Sequence, residues 1–278
     1  MHGSPDCSAN SDPEFDVYAL DRTTYILRQN KCATYEAPFI YVLVGQNKAL
    51  VLDTGATEDD GDSPLYQAIN TILGPTLAEG MEILVIHSHG HGDHYRGDAQ
   101  FRGKPNVTLV EPRHDDLVSF FGFTDWPNGE ATIDLGGRLL IVIPTPGHQE
   151  EAITIYDQKT KWLLTGDTLY PGYIYVKSWE DYKSSIARLA RFAESNEVVE
   201  ILGSHIEMTR VAGEYYPIGT TFQPDEATLP LPPDSLQKLN YELQDSNEQD
   251  ELVFDQFIVA PMNFFQIALS DIARWITQ

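Results

Sequence analysis

The chain has 278 residues, with 18 Lys and Arg against 42 Asp and Glu, and a formal net charge of −24. Binding to nucleic acids depends on clusters of Lys and Arg that displace counterions, so this charge argues against a nucleic-acid partner. The hydrophobic fraction of 42% is typical of a globular protein. No apolar run reaches the roughly 20 residues that span a bilayer. Two cysteines, Cys7 and Cys32, are too few for a disulfide framework, and a single bridge between them stays open.

Residues 1–15 are polar and resemble vector-derived sequence, with Gly3-Ser4 and Glu14-Phe15 similar to restriction-site remnants. We therefore expect a tag over residues 1–15, with a natural disordered N-terminus as the alternative. One domain is expected over residues 16–278, with a C-terminal extension from about residue 207. Because a leader before the domain would be missing from this sequence, localisation stays open.

Strands and helices are expected to alternate along this domain. Short apolar runs bounded by turn residues predict strands, and apolar residues three and four apart predict helices. The predicted strands are Tyr18–Leu27, Phe39–Val44, Lys48–Leu52, Ile83–Ile86, Thr108–Val110, Leu139–Ile143, Ala152–Tyr156, Trp162–Leu164, Val199–Leu202 and Leu252–Ala260. The predicted helices are Pro64–Leu73, Glu180–Ala193, Pro233–Leu243 and Asn263–Ile276. Mixed periodicities of this kind predict an α/β fold in which helices cover sheets.

Two segments carry further local signals. Ser178 can cap the helix that follows it, with Asp181 three residues on, a variant of the capping box. From Glu214 to Glu251 the composition shifts to Pro, Asp, Glu and Gln. We expect this segment to be a long surface excursion that contains one helix.

Four of the eight histidines lie in one segment directly after an apolar strand: His87, His89, His91 and His94. His89 and His91 are two residues apart, so in an extended segment they project to one side and can share a metal ion. Gly92 lets the backbone turn, which can send Asp93 and His94 to a second ion. Imidazole and carboxylate are the ligands that Zn prefers, with Fe and Mn as alternatives. His87 is expected to be a core histidine, and His114 a surface one.

Three more candidate ligands follow strands. His148 ends a stiff turn after Leu139–Ile143, and His205 lies just beyond Val199–Leu202. Asp167 follows another strand, where a carboxylate can bridge two metal ions. Functional groups on loops at one edge of a rigid sheet are a common arrangement, so the sequence predicts one metal centre built from several strand ends.

These motifs resemble those of the metallo-β-lactamase-fold superfamily, over about residues 18–205. The signature His-x-His-x-Asp-His is present, and the later motifs follow in the family's order, including the strand-end Asp53. The resemblance implies a four-layer αββα sandwich with the site along one edge. It also implies that Asp53 orients the histidine loop by hydrogen bonds, with an ordinary turn as the alternative. The implied ligands of one metal are His89, His91 and His148, those of the other are Asp93, His94 and His205, and Asp167 bridges them.

Two divalent ions about 3.5–4 Å apart lower the pKa of a shared water and polarise a carbonyl group. We therefore expect a hydrolase with two Zn²⁺ (or Fe or Mn), in which metal-bound hydroxide attacks the acyl carbon of a small ester, thioester or lactone. Asp93 would orient the hydroxide and pass a proton to the leaving group. Tyr170 is placed like a tyrosine that assists the oxyanion in some lactonases, although packing at a strand end is the alternative.

Differences from the motifs of individual subgroups of this superfamily narrow the range of expected activities. Asp167 makes the chain similar to glyoxalase II, the lactonases and the tRNA-processing nucleases, since antibiotic-hydrolysing subgroups have Cys or Ser there. The acidic charge disfavours the nucleases. Glyoxalase II has a basic C-terminal domain, whereas residues 207–278 contain only Arg210, Lys238 and Arg274. The flavodiiron oxygen reductases have Glu in place of His91, which disfavours redox chemistry.

The expected partner is a small-molecule substrate, without a nucleic acid or a membrane. Tyr173, Tyr175, Trp126 and Phe120–Phe123 are candidates for the lining of an apolar substrate cleft, with core packing as the alternative. A homodimer contact through the C-terminal strand and helix stays open. The alternative functions are a β-lactamase with an atypical bridging Asp and a metal-binding module without turnover.

Overall fold

The computed structural model describes residues 3–58, 61–246, 250–268 and 270. The chain divides into two compact units. The first unit comprises Met1–Phe120, Ile133–Leu139 and Pro217–Pro224, and the second Phe121–Thr132, Leu140–Tyr216 and Asp225–Gln278. Among the described residues, no helix combines the length and the apolar character that crossing a membrane requires. The expected tag and single domain with an extension stay predictions.

The first sheet has six strands in chain order. Its strands are β1 Phe15–Asp21, β2 Thr24–Gln29, β3 Phe39–Val44, β4 Lys48–Leu52, β5 Glu82–Ile86 and β6 Val107–Leu109. The pairs from β1 to β4 are antiparallel, whereas β5 pairs in parallel with both β4 and β6. Helix α1, Pro64–Leu73, buries Leu65, Ile69 and Leu73 against the apolar core that these strands share. The predicted bounds of β3, β4 and α1 are confirmed.

The predicted strand Tyr18–Leu27 is wrong as a single element, because the chain turns within it. Asp21 accepts hydrogen bonds from the backbone N–H of Thr23 (2.7 Å) and from its hydroxyl (2.9 Å). An aspartate that bonds the chain two residues on forms a local turn, which separates β1 from β2.

The N-terminal segment is tied to the first unit by a disulfide between Cys7 and Cys32. Nearby, Glu14 accepts hydrogen bonds from the side chains of Gln29 (2.9 Å) and Thr57 (2.5 Å). The bridge that the sequence left open is therefore present.

Two further sheets contain the remaining strands. The five-stranded sheet has the order β12-β10-β9-β8-β7 and the three-stranded sheet has the order β11-β14-β13. Their strands are β7 Ala131–Asp134, β8 Leu139–Pro144, β9 Ile153–Asp157, β10 Trp162–Gly166, β11 Tyr173–Val176, β12 Glu200–Gly203, β13 Leu252–Val253 and β14 Ile258–Pro261. Their remaining pairings are mixed, since β12 is parallel to β10 and β11 is parallel to β14, whereas β9 is antiparallel to both β8 and β10.

Helices α5, Trp179–Ser195, and α6, Asp234–Asp245, pack on the core of the second unit. The predicted apolar stripe of α5 is confirmed, with Tyr182, Ile186 and Leu189 buried. The predicted capping box is wrong: the hydroxyl of Ser178 donates to the Asp181 carboxylate (2.5 Å) and makes no bond to the backbone of the first turn.

The segment Glu214–Glu251 is only partly a surface excursion. It contains the expected helix, but its leucines belong to the core: Leu231, Leu236, Leu239 and Leu243 are buried. Leucines three and four residues apart on α6 predict a buried helix face, which the polar composition of the segment does not indicate.

The predicted strand Leu252–Ala260 is also wrong, because it is the antiparallel pair β13 and β14. Phe254 and Phe257 stack at the turn between the two strands, with ring centroids 4.5 Å apart. The predicted helix Asn263–Ile276 starts within the described residues, and residue 269 and residues 271–278 lie outside them. The sequence also missed β7, β11 and three helices: α2 Pro75–Ala78, α3 Gly92–Tyr95 and α4 His114–Phe121.

Candidate metal centre

Asp53 and the histidine loop lie side by side because β4 and β5 are parallel neighbours. Leu52 at the end of β4 pairs with Ile86 at the end of β5, so the residues that follow the two strands meet. Asp53 is fully buried and accepts hydrogen bonds from the backbone N–H of Ser88 (2.6 Å), its hydroxyl (2.9 Å) and His94 Nδ1 (2.9 Å). Its φ of 72° is in the left-handed region, which Asp tolerates better than most residues. Asp53 therefore makes the contact that the resemblance implies.

Within the histidine loop the candidate ligand atoms face one another. His94 Nδ1 is bonded to Asp53, so Nε2 is the nitrogen left with a lone pair, and it lies 3.3 Å from Asp93 Oδ2. His89 Nε2 lies 3.0 Å from His91 Nδ1. The His89 and His94 rings are also close, with centroids 4.0 Å apart. The loop thus gathers nitrogen and oxygen donors from neighbouring residues of one segment.

Two candidate histidine ligands of the second unit face a single carboxylate, that of Asp167. His148 donates from Nδ1 to the backbone carbonyl of Tyr175 (2.7 Å), and its Nε2 lies 3.7 Å from Asp167 Oδ2. His205 Nε2 lies 3.5 Å from the other oxygen, Asp167 Oδ1. All three side chains are more than nine-tenths buried. Each oxygen of Asp167 therefore faces a different histidine.

The turn that carries His148 requires glycine at position 147. Gly147 has a φ of 145°, and a Cβ there would lie 2.6 Å from the Cα of Tyr182 on α5. The carbonyl of Gly147 accepts hydrogen bonds from the N–H groups of Lys177 and Ser178, both at 2.9 Å. These hydrogen bonds hold the turn against the start of α5, and the turn in turn determines the position of His148.

The structure brings the predicted ligands together in three groups. Within each group the ligand atoms lie within 4.8 Å of one another, which is close enough to hold a metal ion. The groups are His89, His91 and His148; His89, His94 and Asp167; and Asp93, His94 and His205. These are the seven residues that the sequence predicted as ligands. The protein therefore has His and Asp groups that can bind metal, while the number and identity of the ions stay predictions.

A buried network behind the histidine loop was missed by the sequence. Thr54 donates its N–H to the carbonyl of His94 (2.7 Å) and its hydroxyl to Asp98 (2.8 Å). Asp98 also contacts His87 Nε2 (2.8 Å), and His87 Nδ1 faces the carbonyl of Val110 (3.1 Å). Burial lowers the pKa of His87, but the Asp98 carboxylate outweighs this effect and the net shift is upward. His87 is the core histidine that was expected. The missed signal is a carboxylate, Asp98, one turn beyond the motif.

Tyr170 lies against the candidate ligands through its ring. Its ring meets the His205 ring edge-on, with centroids 5.6 Å apart. Its hydroxyl donates to the carbonyl of Tyr173 (2.9 Å), with the Glu207 carboxylate 3.4 Å away. These contacts favour the packing alternative, and the oxyanion role stays a prediction.

Three tyrosine rings, referred to below as the tyrosine cluster, lie on the face of β11 opposite the core. Tyr173 and Tyr175 alternate with the buried Ile174 and Val176, and Tyr215 completes the cluster. The Tyr173 ring centroid lies 5.0 Å from that of Tyr175 and 5.1 Å from that of Tyr215. The other predicted cleft residues form a separate group, in which Phe123 contacts Phe121 and Trp126.

Two carboxylates contact the tyrosine cluster. The Tyr173 hydroxyl donates to Glu251, and the Tyr173 N–H donates to Glu207 (2.8 Å). Burial, followed by the hydrogen bond to Glu251, raises the pKa of Tyr173 well above its ordinary value. Burial and then Glu207 raise the pKa of Tyr175. Both phenols therefore stay neutral, next to negative charge.

The strand and helix pattern, together with the His and Asp groups, defines a metal-binding α/β protein. Residues 34–205 match the model of the metallo-β-lactamase superfamily. This match covers more than half of the chain, so the chain belongs to that superfamily. The predicted fold class, an α/β sandwich with several sheets, is confirmed.

Named relatives are similar over shorter stretches. The chain is 32% identical over 80 residues to the acyl-coenzyme A thioesterase MBLAC2 of Gallus gallus, which covers 27% of this chain and 29% of that protein. It is 31% identical over 96 residues to a hydroxyacylglutathione hydrolase of Marinomonas sp. (strain MWYL1), which covers 32% of this chain and 33% of that protein. The chain spans between 29% and 57% of the length of the curated relatives it matches.

Among solved structures, the chain is similar to a metallo-β-lactamase from Erythrobacter litoralis. The TM-score is 0.57 at 16% sequence identity, and the match covers 85% of this chain and 99% of that chain. At this identity the likeness shows the fold alone.

Proposed function

We propose that the protein is a dinuclear metal-dependent hydrolase of a small ester, thioester or lactone. The observation that carries the proposal is the position of Asp167. Its two oxygens face the Nε2 atoms of His148 and His205, and it forms a candidate ligand group with His89 and His94. One carboxylate with a histidine at each oxygen fits a bridge between two ions better than a ligand of one.

The donor set fits divalent zinc, with iron or manganese as alternatives. A neutral histidine binds metal with one nitrogen while the other donates a hydrogen bond that fixes the ring. His148 and His94 meet this condition, since Nδ1 contacts the Tyr175 carbonyl in one and Asp53 in the other. When bound, two such ions would supply Lewis acidity and a water of lowered pKa.

In the proposed reaction the oxygen of a water molecule bonds to the acyl carbon. The bond from that carbon to the leaving oxygen or sulfur breaks, and the leaving atom takes a proton. Asp93 is the residue we assign to this proton, because its carboxylate is partly exposed, at 19% of its side chain, while His94 beside it is fully buried. Asp53 holds His94 and the backbone of Ser88 in place during these steps. We assign Tyr170, whose ring lies against His205, a contact to the oxyanion.

Two findings support an acyl substrate of low molecular weight. The relatives that match include a protein named as a thioesterase and one named as a hydroxyacylglutathione hydrolase. The net charge of −24 disfavours nucleic acids. We therefore propose a small molecule as partner, with neither a nucleic acid nor a membrane.

Metal analysis of the purified protein and of the Asp167→Asn variant tests the bridge. We expect about two equivalents of metal in the unchanged protein and close to one in the variant, because each ion loses a shared ligand. Replacement of the partly exposed His114 by Ala is the control and should leave two equivalents. Unchanged stoichiometry in Asp167→Asn would refute the bridging role.

A hydrolysis panel tests the reaction. It contains a hydroxyacylglutathione thioester, an acyl-homoserine lactone, a simple thioester and a chromogenic cephalosporin. We expect turnover of at least one ester, thioester or lactone, and a fall of at least 100-fold in kcat for Asp93→Asn. Cleavage of the cephalosporin alone would favour a β-lactamase, and no turnover with two ions bound would favour a binding module.

A further inference from the structure

Strand β11, which carries Tyr173 and Tyr175, contacts one proposed ligand directly and a second through Tyr170. The backbone carbonyl of Tyr175 accepts the hydrogen bond of His148 Nδ1 at 2.7 Å. The carbonyl of Tyr173 accepts that of Tyr170, whose ring meets the His205 ring. The backbone of β11, which carries two of the three tyrosines, is therefore in direct contact with a proposed ligand, His148.

The rings of the cluster remain accessible in part. Tyr173 and Tyr175 are half-buried, and Tyr215 is 45% exposed. Ile174 and Val176 fill the core on the other face of β11, so the rings of Tyr173 and Tyr175 lie outside that core. Their position is more consistent with a surface that receives a ligand.

The electrostatic character of the cluster favours a positive ligand group. The face of an aromatic ring carries negative potential and attracts cations, most strongly where water is partly excluded. The Tyr173 hydroxyl donates to Glu251, which draws negative charge onto the phenol oxygen and makes the ring richer in electrons. Glu207, bonded to the N–H of Tyr173, adds a second carboxylate. The whole chain, with its charge of −24, adds a field of the same sign.

We propose that the tyrosine cluster binds a cationic group of the substrate, such as a quaternary or protonated amine, and that Tyr175, Tyr215 and Glu251 determine this specificity. The inference rests on the proposed hydrolase function, because it assigns the part of the substrate that lies beside the acyl group. The proposed site disfavours polyanionic thioesters as substrates, because coenzyme A would bring negative charge close to Glu207 and Glu251.

A matched pair of thioesters tests the specificity in the metal-loaded protein. Acetylthiocholine carries a trimethylammonium group, and S-(3,3-dimethylbutyl) thioacetate has the same shape with a neutral carbon in place of nitrogen. We expect kcat/KM to be about tenfold higher for the cationic thioester. The preference should fall below threefold in Tyr215→Leu and in Glu251→Gln. Tyr241→Leu, at an exposed position on α6, is the control and should keep it.

Binding to the metal-free protein gives a readout that does not depend on turnover. Choline and its neutral isostere 3,3-dimethylbutanol are titrated while the tyrosine ring signals are followed by NMR. We expect choline to bind about tenfold more tightly and to shift the signals of the cluster, and this preference should be lost in Tyr215→Leu.

The two experiments separate the two proposals. If the protein cleaves both thioesters equally well, the hydrolase stands and the cation site is overturned. If it cleaves neither of them and no ester, thioester or lactone of the hydrolysis panel, the proposed function fails, and choline binding alone decides on the cation site. Equal binding of choline and 3,3-dimethylbutanol, or an unchanged preference in Tyr215→Leu, would overturn it in either case.

Discussion

The histidine loop and the group around Asp167 support their candidate ligands in different ways. The ligands of the loop are neighbours in sequence, and side chains hold them: Asp53 alone accepts three hydrogen bonds from Ser88 and His94. His148, Asp167 and His205 come from separate segments, and His148 is held by backbone, through the carbonyl of Tyr175. A contiguous motif thus depends on polar side chains behind it, whereas the dispersed group depends on exact backbone placement.

The largest effect is expected where one side chain holds the whole loop. Asp53→Ala leaves the N–H of Ser88 and Nδ1 of His94 buried without their acceptor, which should lower the free energy of unfolding by about 3–5 kcal/mol. Urea denaturation of the chelator-treated protein measures this loss without a contribution from bound metal. Asp53→Asn keeps one oxygen and tolerates the left-handed backbone, so it should lose about half as much. A loss below about 1 kcal/mol in Asp53→Ala would contradict the comparison.

For the dispersed group, the corresponding test changes the backbone turn that carries His148. Gly147→Ala places a Cβ 2.6 Å from the Cα of Tyr182, so the turn or α5 must shift, at a cost of about 2–3 kcal/mol. Gly103 provides the control, because its φ is also positive, at 69°, and the position of its Cβ has no atom within 4 Å. Gly103→Ala should cost only about 1 kcal/mol, the price of the left-handed conformation. Equal losses of unfolding free energy in the two variants would show that close packing of this turn does not matter.

A smaller effect tests how far the support of the loop extends. Thr54→Val keeps the shape of the side chain and removes its 2.8 Å hydrogen bond to Asp98. We expect a loss of about 1–2 kcal/mol in urea denaturation, the usual cost of leaving a buried acceptor without one donor. Thr71→Val, at an exposed position of α1, should change stability by less than about 0.5 kcal/mol. If the two variants lose the same unfolding free energy, the hydrogen bond from Thr54 to Asp98 does not help to support the histidine loop.

Some elements could be read from the sequence because local signals agreed. Strands β3 and β4 are apolar runs separated by a Gly-Gln-Asn turn, and α1 starts at Pro64 and ends before Gly74. Their bounds were predicted to the residue. The turn between β1 and β2 was missed because Asp21-Arg22-Thr23 contains neither Gly nor Pro, and its turn is made by a side-chain hydrogen bond.

The candidate ligands were predictable for a different reason. A single histidine after a strand is more often structural, but several strand ends that each carry His, Asp or both predict one site even without a fold. The support for that site was not predictable beyond Asp53. Thr54, Asp98 and the carbonyl of Tyr175 act through contacts between residues that are distant in sequence, and no periodicity or spacing encodes such contacts.

The disulfide between Cys7 and Cys32 stabilises the protein without improving any contact of the folded state. It closes a loop over a sequence separation of 25 residues, and that loop contains the whole of β1 and β2. In the unfolded chain this closure removes conformational entropy worth about 3 kcal/mol, by the chain-entropy argument. The edge strand β1 exposes Val17, Tyr18 and Leu20, and such strands readily pair with other chains when they open. Holding both ends of this hairpin near each other shortens the time for which that edge is available to another molecule.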